Sequence, residues 1–325
     1  MTTRRTLIAA AAAATASALM APAAMAQAFP SKPITLVVPY TPGGVVDASA
    51  RLLADQLAKA LGGNVIIENK PGASGNIGMQ QVANAAKDGH TLLISYSAAH
   101  VGNPAMFAKL PWAQKDFAPI AQLTAATNVI AAHPSIPAND LKGFIAHLKA
   151  NPGKLNYASQ GNGSLAHVGS AMFEQATGTD MVHVPYKGSG AAIADVLGGQ
   201  VQVFITTPPS VMQHVQVGKL KAYAVTGKTR HPGLPNVPTV AEAGMPGFEL
   251  EAWVALFAPT GTPAPVLAQL AEATKKALAT PEAKAAAEKS GIEIRYADPQ
   301  GLAALVTRET EYWGNIIRTR KITAD

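Results

Sequence analysis

The chain has 325 residues, with 26 Lys and Arg against 20 Asp and Glu. Apolar residues make up 48% and charged residues 14%, which excludes a disordered, charge-solvated chain and provides for a sizeable core. There is no cysteine, which excludes disulfides, thiolate metal sites and lipid attachment through a thiol.

Residues 1–26 do not read as part of a fold. Arg4 and Arg5 precede an apolar run from Leu7 to Ala21, and Ala24-Met25-Ala26 is a small-residue cleavage site. This is the layout of a secretory signal peptide cleaved after Ala26. The apolar run falls short of the ~20 residues that a membrane span needs. Arg4-Arg5 loosely matches a twin-arginine signal, and Sec export is the expectation. The mature chain then has 299 residues (325 less 26), about two domains, free in the periplasm. Its basic residues are scattered, so nucleic acid is not an expected partner. A mildly positive balance suits an anionic ligand.

Ile34 to Tyr40 is a short apolar run rich in β-branched residues and reads as a buried strand. Thr41-Pro42-Gly43-Gly44 breaks it. Asp47 is placed to cap the next helix, where Ala50, Leu53, Ala54, Leu57, Ala58 and Leu61 recur on one face. Gly62-Gly63 ends that helix. Val65 to Ile67 is a second strand, residues 69–76 form a second Gly-rich loop, a helix runs through Ala86, and Thr91 to Tyr96 is a third strand. The order βαβαβ predicts a parallel sheet with helices on its faces. Both Gly-rich loops then lie at the carboxyl ends of strands, where such sheets gather their chemistry. Each opens a helix with free backbone N–H groups, a ready anion site. The alternative, a pair of mere tight turns, is weakened by their equivalent positions.

The second half repeats the plan. Asn128 to Pro134 reads as a strand crossing between the halves. Leu155 to Ser159 is a strand, Gln160 to Ser164 a third Gly-rich loop, and Leu165, Val168, Met172 and Ala176 fall on one helix face. Strand Met181 to Tyr186, a loop at residues 187–190, a helix to Leu197, strand Val201 to Thr206, a short helix and strand Leu220 to Thr226 follow. Two such lobes with Gly-rich loops at strand ends predict a ligand clamped between them. Trp253 to Ala258 crosses back. Ala264 to Ala279, residues 281–289 and Gly301 to Ile317 read as helices that pack on the first lobe.

Other chemistries find weaker footing. Gly161-x-Gly163-x-x-Ala166 matches a loose dinucleotide fingerprint, but Asp180 precedes the next strand instead of ending it. Ser74, Ser97 and Ser164 sit in no G-x-S-x-G context. The eight histidines show no H-x-x-x-H spacing, so no metal or other cofactor is expected. Trp112, Trp253 and Trp313 read as packing residues, and Lys187 as a rim lysine.

Several blocks, in order along nearly the whole mature chain, resemble the Bug/TctC-type receptors of tripartite tricarboxylate transporters. They are residues 33–44 with Asp47 and Arg51, Glu68 to Asn76, Asp88 to Leu93, Asn156 to Ser159 with Gly161 to Ser164 and His167, His183 to Gly188, Gly218 to Leu220, and Leu234 to Thr239. The resemblance implies an α/β fold of two lobes, the periplasmic-binding-protein or Venus-flytrap fold of type II-like topology. Lobe 1 would comprise residues 27–127 and 253–325, and lobe 2 residues 128–252. It implies capture of a small carboxylate for the membrane subunits of a transporter, by a monomer that is not an enzyme. Carried over residue by residue, the carboxylate is held by Thr41, Gly43, Gly44, Ala73, Ser74, Ser159, Gly163 and Ser164. Tyr40, Asn76, His167 and Tyr186 are pocket walls or supporting groups. Thr206 ends a strand where the family often carries an acid, which disfavours amino-acid ligands. Val45 and Val46 give an apolar rim suited to an aromatic or aliphatic acid. A ligand-sensing partner of a membrane protein and an exported enzyme remain the alternatives.

Overall fold

Strand β1 (Ile34–Val38) is almost wholly buried, as a central parallel strand must be. It pairs in parallel with β2 (Val65–Asn69) on one side and β3 (Thr91–Tyr96) on the other. Helix α1 (Val45–Leu61) crosses between β1 and β2, buries Ala50, Leu53, Ala54 and Leu57, and ends at the left-handed Gly62. The computed structural model describes residues 29–248, 250–320 and 322–323. The expected signal peptide and its cleavage point after Ala26 lie outside the described residues.

Two local expectations are corrected here. Asp47 does not cap α1; Gly44 holds the cap position without a side chain, and Asp47 lies in the first turn. Its carboxylate instead reaches back to the Gly43 N–H (3.1 Å) and pairs with Arg51 Nε (2.9 Å). Helix α2 (Asn76–Ala83) stops short of Ala86. Its last turn tightens, with the Asn84 and Ala85 N–H groups reaching the carbonyls of Gln80 and Val82.

The first sheet is completed by antiparallel strands that the sequence only partly announced. Its order is β11-β4-β10-β3-β1-β2, where β4 is Phe117–Thr127, β10 is Glu251–Pro259 and β11 is Glu293–Ala297. Strand β10 runs between β3 and β4. Strands β4 and β11 went unpredicted because an Ala- and Pro-containing run and a charged one carry little strand propensity; their pairing partners decide them. Helix α3 (Asn103–Met106) follows β3.

After β4 a single residue, Asn128, separates the first sheet from β5 (Val129–Ala132) of the second. That sheet has the order β7-β6-β8-β5-β9, with β6 Asn156–Ser159, β7 Val182–Pro185, β8 Val203–Thr206 and β9 Lys221–Val225. Strands β7, β6 and β8 are parallel, and β5 runs antiparallel to both its neighbours, β8 and β9. The expected repeat is visible in topology: β2-β1-β3-β10-β4 corresponds to β7-β6-β8-β5-β9. Helix α4 (Leu141–Ala150) precedes β6, α5 (Leu165–Thr177) follows it, α6 (Ser189–Leu197) joins β7 to β8, and α7 (Pro208–Gln216) joins β8 to β9.

The inner face of α5 is rotated from the predicted one. Phe173 and Thr177 are buried, whereas Met172 is half-buried and Ala176 exposed. The Phe173 ring stacks on Phe144 at 6.0 Å, and Thr177 Oγ1 donates to the Phe173 carbonyl (2.7 Å). The closing helices α8 (Ala264–Ala279), α9 (Pro281–Ser290) and α10 (Pro299–Arg320) return to the first sheet, α8 against α1 and α10 against β4.

Phe257 sits in the middle of β10 with 1% of its surface exposed. Its ring stacks on the buried His100 at 4.1 Å, and burial holds that imidazole down at about 3. Phe257→Ala is expected to cost about 3–5 kcal/mol of stability, read from the urea unfolding midpoint.

Candidate ligand-binding cleft

Four helices begin on one chamber between the two sheets. Gly44, Val45 and Val46 line it at the start of α1, Leu165 and Ala166 at α5, Gly188 and Ser189 at α6, and Thr206 and Thr207 at α7. Tyr40, Thr41, Tyr96, Asn128 and Gln160 complete the wall. No acidic, basic or histidine side chain is among these residues. Helices α1 and α6 have no side-chain cap, and α7 opens on Pro208 and Pro209, which have no N–H. A helix start carries a positive partial charge, worth about 0.3–1 kcal/mol to an anion and up to ~2 kcal/mol when partly buried. The chamber is therefore electropositive without containing a cation.

The inner chamber gives the centres of water-sized molecules only about 30 Å³, enough for one or two waters. Outside it lies a groove of about 750 Å³ on the same measure, lined by residues 71–75, 160–162 and 185–188 with Tyr40, Thr41 and Phe107. The lobes close the inner part by direct contact. Ser74 Oγ donates to the Asn162 carbonyl. The Leu165 N–H, at the start of α5, donates to the Tyr96 hydroxyl (3.3 Å). Gly188, at φ +111°, lies so near Thr41 that an added Cβ would fall 1.8 Å from Thr41 Oγ1. In this arrangement the inner chamber is too small for an organic acid.

The structure brings together part of the sequence-derived set. Tyr40, Thr41, Gly44 and Thr206 line the inner chamber, and Ala73, Ser74 and Tyr186 line the groove outside it. Thr41 Oγ1 is buried without a hydrogen-bond partner among the described residues. The other residues stand behind these walls. The Gly43 N–H is committed to Asp47. Burial opposes ionisation of Asp47, but hydrogen bonds from Arg51, Gly43 and Asn69 outweigh it and hold the carboxyl below its ordinary range. Asn76 Oδ1 is turned inward and accepts from Asn103 Nδ2 (2.8 Å) and Trp112 Nε1 (2.9 Å). Tyr186 donates its hydroxyl to Asp195 (2.7 Å), and burial, with Asp195 beside it, pushes the phenol up to about 12.

On the other side, Ser159, Gly163, Ser164 and His167 build the loop before α5. Ser164 Oγ caps the helix by accepting from the His167 N–H. His167 Nδ1 accepts from the Gly163 N–H (3.0 Å). The His167 ring lies flat on His183 at 4.0 Å, and His183 Nε2 bonds Ser159 Oγ at 2.6 Å. Burial lowers His167; burial and then the neighbouring His167 lower His183 to about 4.

The loop after β2 is held in a rare conformation. Ala73 (φ 46°) and Ser74 (φ 53°) are left-handed residues other than glycine, a backbone strained by about 1–3 kcal/mol each. Tyr40 Oη (3.1 Å) and Asn103 Nδ2 (3.0 Å) both donate to the Ser74 carbonyl and secure it. The next residue must be Gly75, since a Cβ there would meet Tyr40 Oη at 2.9 Å. Sequence reasoning missed Tyr96, Asn128, Gln160, Ser189 and Thr207 as lining residues. Ser189 and Gln160 occupied legible positions, next to a loop glycine at a strand end. Tyr96 and Asn128 gave no such signal.

A family model described as the tripartite tricarboxylate transporter family receptor matches residues 49–322. The chain belongs to this receptor family. Solved structures agree with it. The periplasmic binding protein BugD is 33% identical, with a TM-score of 0.86 over 91% of this chain and 99% of BugD. An R. palustris protein solved with adipate is 31% identical, TM-score 0.87, over 91% and 99% of the two chains. MatC from Rhodopseudomonas palustris, solved with bound malate, is 35% identical, TM-score 0.83, over 89% and 100%. The receptor thus has the two-lobed periplasmic-binding-protein fold.

The stacked histidines give the receptor a pH dependence of definite sign. Their folded pKa values lie below the ordinary 6.5, so the unfolded chain takes up protons first. Their contribution is complete above about 6.5 and is lost as pH falls towards about 4. Glu174, raised by burial to about 7, acts in the opposite sense. The comparison with His183→Gln isolates the pair: the unaltered receptor should lose more melting temperature than the variant between pH 6.5 and 4. Gly188→Ala should hold the lobes apart through Thr41, lowering ligand affinity at least about ten-fold in calorimetry.

Proposed function

We propose that this receptor captures a small organic acid between its lobes and delivers it to the membrane subunits of a tripartite transporter. The convergence of four helix starts on a chamber without charged side chains carries this reading. The relatives solved with adipate and malate support it. In this reading lobe 1 comprises residues 27–127 and 253–325, and lobe 2 residues 128–252. Thr41, Gly44 and the first turn of α1 meet the carboxylate from lobe 1. The starts of α5 and α6 meet it from lobe 2, and Ala73, Ser74 and Tyr186 guard the entrance. Gly43, Asn76, Ser159, Gly163, Ser164 and His167 hold these loops in place.

The receptor acts as a monomer in the periplasm after export, and it performs no catalysis. The Ser159–His183 pair has the spacing of a nucleophile and its base, but Ser159 has no exposed surface and its Oγ also accepts from the Gly161 N–H (3.1 Å). Thr206 is buried and accepts from Gln160 Nε2 (2.8 Å). Without an acid at that strand end, a ligand ammonium lacks a charge partner.

A thermal-shift screen of refolded protein against carboxylates, aromatic acids and amino acids tests the reading. A ligand at 100 times its dissociation constant adds about 2.7 kcal/mol, which moves the melting point by roughly 5–10 °C. A shift confined to a class of organic acids is expected. No shift with any acid would refute the assignment, and tight binding of aspartate or glutamate would refute the role of Thr206.

A further inference from the structure

The chain crosses between the sheets at Asn128, a residue with no exposed surface. Its backbone is fully engaged. The N–H donates to Thr226 Oγ1 (2.8 Å), and the carbonyl accepts from the Thr226 N–H (2.9 Å). Its side-chain Nδ2 donates to the Leu250 carbonyl (3.1 Å). A backbone carbonyl can only accept, so this bond fixes which end of the amide is nitrogen. The oxygen end, Oδ1, is buried without a hydrogen-bond partner among the described residues, and Asn128 lines the inner chamber.

Gln160 lines the same chamber, but its amide end meets only the hydroxyls of Thr206 (2.8 Å) and Ser189 (3.4 Å), which donate as readily as they accept, so its bonds do not fix which end is oxygen. Buried acceptors left unpaired are costly and rare, and each calls for a donor. The chamber therefore presents two complementary sets of groups. Backbone N–H groups at the starts of α1 and α6 seek an acceptor. The side-chain oxygen of Asn128 seeks a donor. A carboxylate answers only the first set.

We propose that Asn128 Oδ1 accepts a hydrogen bond from the non-carboxylate part of the bound acid, and that the donor is a hydroxyl. The substrate class is then a small hydroxy acid. This inference rests on the carboxylate-receptor reading above. An ammonium also donates, but no carboxylate side chain lines the chamber to balance its charge. A second carboxylate would face the unpaired Asn128 oxygen without a cation. Asn128 also bonds Thr226 and Leu250, the residues flanking the return crossing, so a ligand held by its Oδ1 is tied to the point where the chain changes sheets.

The test is calorimetry on the refolded protein with acids that differ by one hydroxyl: butyrate against the three hydroxybutyrates, succinate against malate, and benzoate against the hydroxybenzoates. The aminobutyrates form a separate arm. In the tightest-binding series one hydroxylated member should bind about five- to ten-fold tighter than its parent, and tighter than any amino analogue. In Asn128→Ala that preference should fall towards one, whatever happens to the parent's affinity. Parent acids that bind as well as every hydroxylated partner overturn this inference and leave the receptor reading intact. An amino acid that binds tightest overturns the hydroxyl. A preference retained in Asn128→Ala overturns the role of Asn128. If Asn128→Ala does not fold, the paired series in the unaltered protein decides. No binding of any acid would instead strike the receptor reading itself.

Discussion

The structure turns on one buried residue between two strands. Asn128 links β4 of the first sheet to β5 of the second, and bonds Thr226 and Leu250 on either side of the return crossing. Thr226 Oγ1 also donates to the Leu250 carbonyl (2.5 Å). The two crossings are thus stitched to each other at the point where the chain changes sheets. The parallel strands of both lobes then end towards one gap, each is followed by a helix, and after β1, β2, β6 and β7 the turn between is Gly-rich. The convergence of helix starts follows from this placement.

Under the proposed function, that convergence would let the chamber hold an anion without a cation. A lysine or arginine in a closed chamber would pay a large desolvation cost whenever the chamber was empty. Backbone N–H groups at helix starts carry only partial charges, are fixed by the helix and need no side-chain ordering. Thr41 against Gly188 and Ser74 against Asn162 set how far the lobes can meet.

The residues behind the walls act through position. Asp47 ties the loop after β1 to α1, and Asn69 Nδ2 donates to the Tyr40 carbonyl (2.9 Å). Tyr40 in turn holds the Ser74 carbonyl. A chain of hydrogen bonds therefore runs from the first loop to the strained second loop. The stack of Tyr157, His183 and His167 does the same for the loop before α5. Much of the conspicuous polar chemistry in this sequence thus serves to hold backbone N–H groups and loop shapes in place.

The sequence by itself determined the two α/β halves, the parallel core of each and the loops that bound the cleft. These follow from local pattern: β-branched runs, Gly-rich breaks and apolar helix faces are physical requirements of each element. Tertiary structure decided the rest. Strands β4 and β11 exist through pairing, because their own residues favour no strand. Asp47 lies inside the first turn of α1, where local helix geometry gives it Gly43 and Arg51, and the fold adds only Asn69. Asn76 turned inward because Asn103 and Trp112, distant along the chain, wait behind it. Asn128 and Tyr96 meet the chamber only once the lobes face each other, and a pattern confined to neighbouring residues carries no record of such a meeting.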